Sequence, residues 1–231
     1  QGNLAKSIKM ANKLLPATAT LFLVILSVSI SDSATLSIAN ADSDLVLDTD
    51  GNPLEVDSLY YMQPTNIGFR GVIGRSARPG PGIPCPLYAT VYPTGINRGH
   101  PLKFVPIDKP QNQIRLSSVV QISSGISAYC RDVLGLWRLS FDVPNRRPVV
   151  IASGAFQYRD TLFKIEKAEG QPSYKITASA VQPLAQEGVL YLTVFLDVQS
   201  RIMLMLGLTD DPTRALQVEF HKYKEDVVAS I

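Results

Sequence analysis

Two cysteines, Cys85 and Cys130, and two histidines, His100 and His221, are the side chains of this chain best suited to covalent or metal chemistry. Their spacing does not support it. Zinc sites bring Cys and His ligands in close pairs, whereas here each of the four stands alone in the sequence. Serine, histidine and aspartate are present, but nothing resembles a nucleophile elbow. No enzyme active site, metal or cofactor is therefore expected. An even cysteine count in a secreted chain reads instead as one disulfide. Closing a loop of about 45 residues would contribute roughly 4 kcal/mol in the chain-entropy picture. The basic pair Arg146-Arg147 reads as part of a solvated loop, and the single Trp137 as core. A formal net charge of +2 offers no electrostatic footprint for nucleic acid. There is no Asn-x-Ser/Thr acceptor for N-glycosylation.

The oxidising compartment is implied by residues 10–41. Lys6, Lys9 and Lys13 make a positive segment, LFLVILSVSI at 21–30 an apolar one, and Ala39-Asn40-Ala41 a small-residue cleavage site, the pattern of a secretory signal. An apolar run of about ten residues is half of the ~20 a spanning helix needs, so no membrane association is expected of the mature form. Cleavage is expected after Ala41, with Ala34 as a second option. Met10 is the expected initiator, and 1–9 reads as translated leader or gene-model artefact. Residues 42–231 then remain as one secreted domain.

The elements that would hold any site are strands. After residue 63 no helical period is visible. Short runs rich in β-branched and aromatic residues alternate with Pro, Gly, Asn and Asp clusters. Strands are expected at 71–74, 88–92, 102–105, 113–122, 136–141, 149–152, 162–166, 173–178, 190–197, 202–208 and 216–223. The Pro/Gly-rich piece SARPGPGIPCP at 76–86 reads as a surface loop. The fold class is all-β, and a parallel βαβ layout is excluded because no helical patterns separate the strands. Spacing alone leaves sandwich and barrel open.

The domain opens on LVLDTDGNPLEVDSLYYMQ at 45–63. This reads as a strand at 45–47, a turn at 48–51 with the Asp50-Gly51 hairpin signal, and a second strand at 59–62. With the eleven above, about a dozen strands result. The pattern VLDTDGNPL followed by a Tyr pair resembles the opening motif of the plant Kunitz (soybean trypsin inhibitor-like) family. PCPL at 84–87, LWRL at 136–139, LFKIEK at 162–167 with YKI at 174–176, and VEFHK at 218–222 match in the family's order.

The resemblance implies a β-trefoil of twelve strands in three pseudo-repeats, in which LWRLS at 136–140 and LFKIE at 162–166 could be equivalent strands. It pairs Cys85 with Cys130 as the family's first disulfide. The second disulfide of most members is absent, because the last third of the chain has no cysteine. Sugar-binding trefoils repeat Gln-x-Trp, which one tryptophan cannot supply.

The implied activity is inhibition of an endopeptidase, a serine protease first, by a rigid loop that enters its cleft as a substrate would. The resemblance places that loop between the fourth and fifth strands, at Val105, Pro106, Ile107, Asp108, Lys109, Pro110, Gln111, Asn112 and Gln113. Counting back from the strand that begins IRLSS puts Pro110 at the specificity position. A shift of one gives Lys109, which could meet the Asp of a trypsin-like pocket, although the bond beyond it leads into Pro110. The family's loop-bracing Asn corresponds to Val56, whose side chain cannot hydrogen-bond. A monomer is expected. The alternatives are a non-inhibitory storage, miraculin-like or defence member, or an inhibitor of a cysteine protease, a subtilisin-like protease or an α-amylase through another surface.

Overall fold

Alternation of large apolar with polar residues sets each strand's inward face, because successive side chains point to opposite sides. The computed structural model describes residues 44–81, 85–95, 99–107, 111–125, 130, 135–152, 162–169, 173–179 and 188–224. The expected leader and signal, 1–9 and 10–41, lie outside the described residues. The chain divides into Gln1–Asp44 and Leu45–Ile231, and every strand below belongs to the second unit.

Six strands form a barrel: β1 (Tyr60–Pro64), β4 (Lys103–Pro106), β5 (Val119–Ser123), β8 (Phe163–Lys167), β9 (Tyr174–Ser179) and β12 (Gln217–Lys222). Antiparallel pairing runs β1–β12–β9–β8–β5–β4. The Tyr60↔Leu102 bridge returns to β1 and closes the ring. The other six form hairpins: β2 (Gly71–Ala77) with β3 (Leu87–Pro93), β6 (Arg138–Asp142) with β7 (Arg147–Ile151), and β10 (Val189–Leu196) with β11 (Leu204–Thr209). Their second strands meet pairwise at Tyr88↔Ile151, Gly207↔Val149 and Leu204↔Val91. Barrel strand, hairpin, barrel strand, three times over, is the β-trefoil.

The main core fills the barrel. Phe104 and Phe220 meet edge-on at 5.2 Å between ring centroids, and Trp137 and Phe163 at 6.1 Å. A smaller cluster of Tyr88, Val149, Ile151, Met203 and Met205, with Phe195 against it, lies under the hairpins. There Gly207 is required by close approach. A Cβ at this position would stand 2.6 Å from the Phe195 ring and 2.7 Å from the Pro148 carbonyl oxygen.

The hairpins are also tied by charge. Arg78 directly follows β2, Asp142 ends β6 and Asp197 directly follows β10. The Arg78 guanidinium donates to Asp142 Oδ2 at 3.0 Å and Asp197 Oδ1 at 2.9 Å, and lies 4.8 Å above the Tyr88 ring. Asn145 donates to Asp142 at 2.6 Å and Asp197 at 2.7 Å, and its Oδ1 accepts from the Val198 amide at 3.0 Å.

Several expectations need correction. Residues 45–47 do not pair with 59–62. Leu45 bridges Arg115, Leu47 bridges Pro53, and the partner of β1 is β12. The expected strand at 113–122 is broken because Ser117 adopts a φ of 59°, leaving β5 to begin at Val119. The loop at 76–86 starts later, since Ser76 and Ala77 complete β2 against Tyr88 and Leu87. Residues 136–140 and 162–166 are not equivalent: the first enters hairpin strand β6, while the second is barrel strand β8, paired with β5 and β9. Arg147 is not in a solvated loop, for it opens β7 and stacks over the Phe195 ring at 4.6 Å.

Cys85 and Cys130 form a disulfide with Cα atoms 5.6 Å apart, joining the entry to β3 to the segment between β5 and β6. Replacing both with serine should lower stability by about 2–4 kcal/mol. Chemical denaturation of the variant should superimpose on that of the reduced wild type, and an unshifted midpoint would refute a stabilising role.

Candidate functional site

The connection from β4 to β5 is built on a platform made by residues 45–56. Asp48 shapes the turn of that platform: its Oδ1 accepts from the amides of Asp50 at 3.0 Å and Asn52 at 2.9 Å, and Gly51 takes φ 82°. Such local carboxylate-to-amide bonds are why Asp recurs in turns. The platform is fastened to the barrel through two buried tyrosines whose hydroxyls accept main-chain protons. Tyr174 takes that of Leu47 at 2.8 Å and Tyr60 that of Glu55 at 2.9 Å. Burial pushes the Tyr174 hydroxyl pKa up, the Leu47 amide opposes this, and the nearby Asp48 charge adds to it. A further bond joins the Thr49 amide to the Phe220 carbonyl at 2.9 Å.

The connection leans on this platform through its backbone. Its start is held by β5 instead, where the Ile107 amide continues the β4–β5 ladder and donates to the Val119 carbonyl at 3.0 Å. At its end the Val56 amide donates to the Asn112 carbonyl at 3.1 Å, Glu55 bridges Gln113, and the Ile114 amide reaches the Leu54 carbonyl at 2.8 Å. The side chain expected to brace the loop at position 56 is thus absent, and the main chain of the same residue makes a brace.

The predicted site residues distribute as follows. Val105 and Pro106 are the last residues of β4, paired with Gln121 and Val120, so the connection begins at Ile107 rather than at Val105, and it runs on past Gln113 to the start of β5 at Val119. Ile107, Asn112 and Gln113 are held by the bonds above, and Gln111 directly precedes Asn112. Asp108, Lys109 and Pro110, with both candidates for the specificity position, lie outside the described residues. Sequence reasoning missed the roles of the Tyr60 and Tyr174 hydroxyls. The signal was available for Tyr60, because an aromatic buried in a strand keeps a polar tip that needs a partner.

Around the platform the charges pair at the surface, Lys222 with Glu55 at 2.7 Å and Lys103 with Asp57 at 3.0 Å, contacts of small energetic weight. The histidines are apart from the connection. The His100 amide bonds to the Ile73 carbonyl, while the His221 ring contacts Glu219 at 2.8 Å and Thr49 at 3.1 Å. Among the described residues no group of His, Cys, Asp and Glu could hold a metal ion. A cleft of about 620 Å³ lies where the chain leaves β1, with walls that include Phe69, Arg70 and His221 but no residue of the connection.

Residues 46–222 match the family model described as trypsin and protease inhibitor, the legume Kunitz family. The chain belongs to this family. It is 34% identical over 173 residues to Kunitz-type trypsin inhibitor 1 of Selenicereus undatus, covering 74% of this chain and 99% of the relative. It is 32% identical over 172 residues to the endogenous alpha-amylase/subtilisin inhibitor of Triticum aestivum, covering 71% of this chain and 91% of the relative. Among solved structures, the water-soluble chlorophyll protein of Brassica oleracea var. Botrytis with chlorophyll-b superimposes with a TM-score of 0.64 at 25% identity, over 78% of this chain and 99% of that one. One Kunitz scaffold thus serves proteins of different names and roles, and the activity of a member has to be argued from its site.

Proposed function

We propose that this protein is a secreted inhibitor of endopeptidases, a serine protease in the first place. It blocks the protease cleft with the β4–β5 connection, and Lys109 enters the specificity pocket. The observation that carries the reading is the two-ended main-chain brace, Ile107 to Val119 and Asn112 to Val56. A loop ordered before it meets its partner loses little conformational freedom on binding, which is where such inhibitors gain affinity. The family's description as trypsin and protease inhibitor, and the names of the relatives from Selenicereus and Triticum, support the same reading. Lys109 is followed by Pro110. Proline lacks an N–H and fixes φ, so the bond is one a protease can engage but cut poorly. The inhibitor acts as a monomer, released from its signal by cleavage after Ala41.

Titration of the purified protein against trypsin, chymotrypsin, subtilisin and papain tests this, with Lys109→Ala alongside. Trypsin inhibition is expected, weakened in the variant by about a thousandfold, the scale of a binding hot spot near 4 kcal/mol. Inhibition that survives the substitution would move the site to another surface. No inhibition of any of the four would overturn the reading.

A further inference from the structure

We propose that the tips of the second and third hairpins form a separate protein-docking surface, suited to a partner that presents apolar side chains between carboxylates. The proposal starts from an internal repeat. Residues 141–146 read Phe-Asp-Val-Pro-Asn-Arg and 196–201 read Leu-Asp-Val-Gln-Ser-Arg. Both segments turn a hairpin, each with its aspartate accepting from the amide three residues on and its arginine at positive φ, 51° for Arg146 and 59° for Arg201. In both, the aspartate turns inward to Arg78, so its neighbours on either side turn outward. These neighbours are Phe141, Val143, Leu196 and Val198, and Ile202 after Arg201 makes a fifth exposed apolar side chain, with Val143 at 73% and Ile202 at 79% of full exposure.

The two tips are fixed to one another. The Asn145 side chain donates to both aspartates and accepts from the Val198 amide, so the apolar groups form one preordered surface. Single exposed apolar residues need no explanation, but a contiguous, rigid group of them marks an interaction site.

Charge decides what kind of partner fits. The only acids in 141–147 and 196–203 are Asp142 and Asp197, and both are buried against Arg78 and Asn145. The exposed rim carries Arg146 and Arg201, with Arg147 beside them on the Phe195 ring. A second copy of this chain meeting the surface by two-fold symmetry would set arginine against arginine. A lipid surface would need no fixed arrangement of the two tips, whereas here buried side chains hold them together, and vesicles form a separate arm of the test below. An apolar centre with an arginine rim and no lysine is the composition of a protein interface.

This surface is independent of the β4–β5 connection. Because Tyr60↔Leu102 is an antiparallel bridge, β4 ends where β1 begins, while the hairpins follow from the other end of β1.

A displayed library of random peptides, selected on the purified protein and counter-selected on Val143→Glu/Ile202→Glu, supplies the test. Peptides combining Asp or Glu with Leu, Val or Phe should be recovered. Their binding should fall about thirtyfold both in that variant and in Arg146→Glu/Arg201→Glu, the scale of a hot-spot loss. It should weaken with added salt, while trypsin titration stays as in wild type. Because the altered side chains are exposed, the melting midpoints should stay close to that of wild type, which checks that the variants fold. Peptides that bind both variants as well as wild type would overturn the proposal. So would binding to phosphatidylserine vesicles abolished by the same variants in the absence of selected peptides, or sedimentation showing a dimer that Val143→Glu dissolves.

Discussion

Arg78→Met is expected to destabilise the fold by about 3–5 kcal/mol at neutral pH, because it strands buried carboxylates without their cation. Asp197 is fully buried and Asp142 nearly so. Burial alone would raise the Asp197 pKa, but the hydrogen bonds from Arg78, Asn145 and Ser200 outweigh it and hold the carboxyl well below the usual carboxylate range. A carboxyl depressed in this way stabilises the fold fully above its unfolded pKa of 3.8 and loses that contribution as pH falls through the folded value. In wild type, the contribution of Asp197 should therefore be lost only in strong acid. In Arg78→Met the buried Asp197 carboxyl, without its cation, favours protonation, so the deficit against wild type should narrow as the solution is acidified. Guanidinium midpoints measured at neutral pH and in mild acid decide the matter. A deficit that is small at neutral pH, or that grows in acid, would show that the cluster is not held by charge.

Trp137→Ala should cost a similar amount, about 3–5 kcal/mol, through the cavity left by a large side chain. Trp137 is 0% exposed, set edge-on to Phe163 between the chain entering β6 and the barrel strand β8. Its amide also donates to the Ile122 carbonyl at 2.8 Å, so the backbone there cannot easily move in to fill the space. The denaturation midpoint should fall with the slope unchanged, the mark of altered stability rather than altered compactness. Trp137→Phe, which keeps a ring, should lose distinctly less. If the two variants matched, packing would not be the cause.

The strands are legible wherever period-two alternation has turn residues on both sides, as in β1, β8 and β12. Legibility failed where pairing was not local. Nothing in residues 45–47 distinguishes a strand paired across its own turn from a segment that bridges Arg115, about seventy residues away. Ser117 has no side-chain feature that announces a positive φ, so residues 113–122 read as a single strand. Arg78 was hidden in a Pro/Gly-rich stretch, and its partners lie 64 and 119 residues further along. Charge that is satisfied only in three dimensions leaves no mark on local composition. For the candidate site, the order of motifs located the β4–β5 connection, but side-chain logic at Val56 gave no access to a contact made by its amide.

That contact bears on how freely the connection between the tethers can vary. The bonds that tether residues 107 and 112 use only amides and carbonyls, which every residue except proline supplies in full. The sequence between the tethers can therefore be rewritten while the frame that presents it stays as it is. A connection built this way can exchange its exposed side chains by substitution within a few positions, without a compensating change elsewhere in the fold.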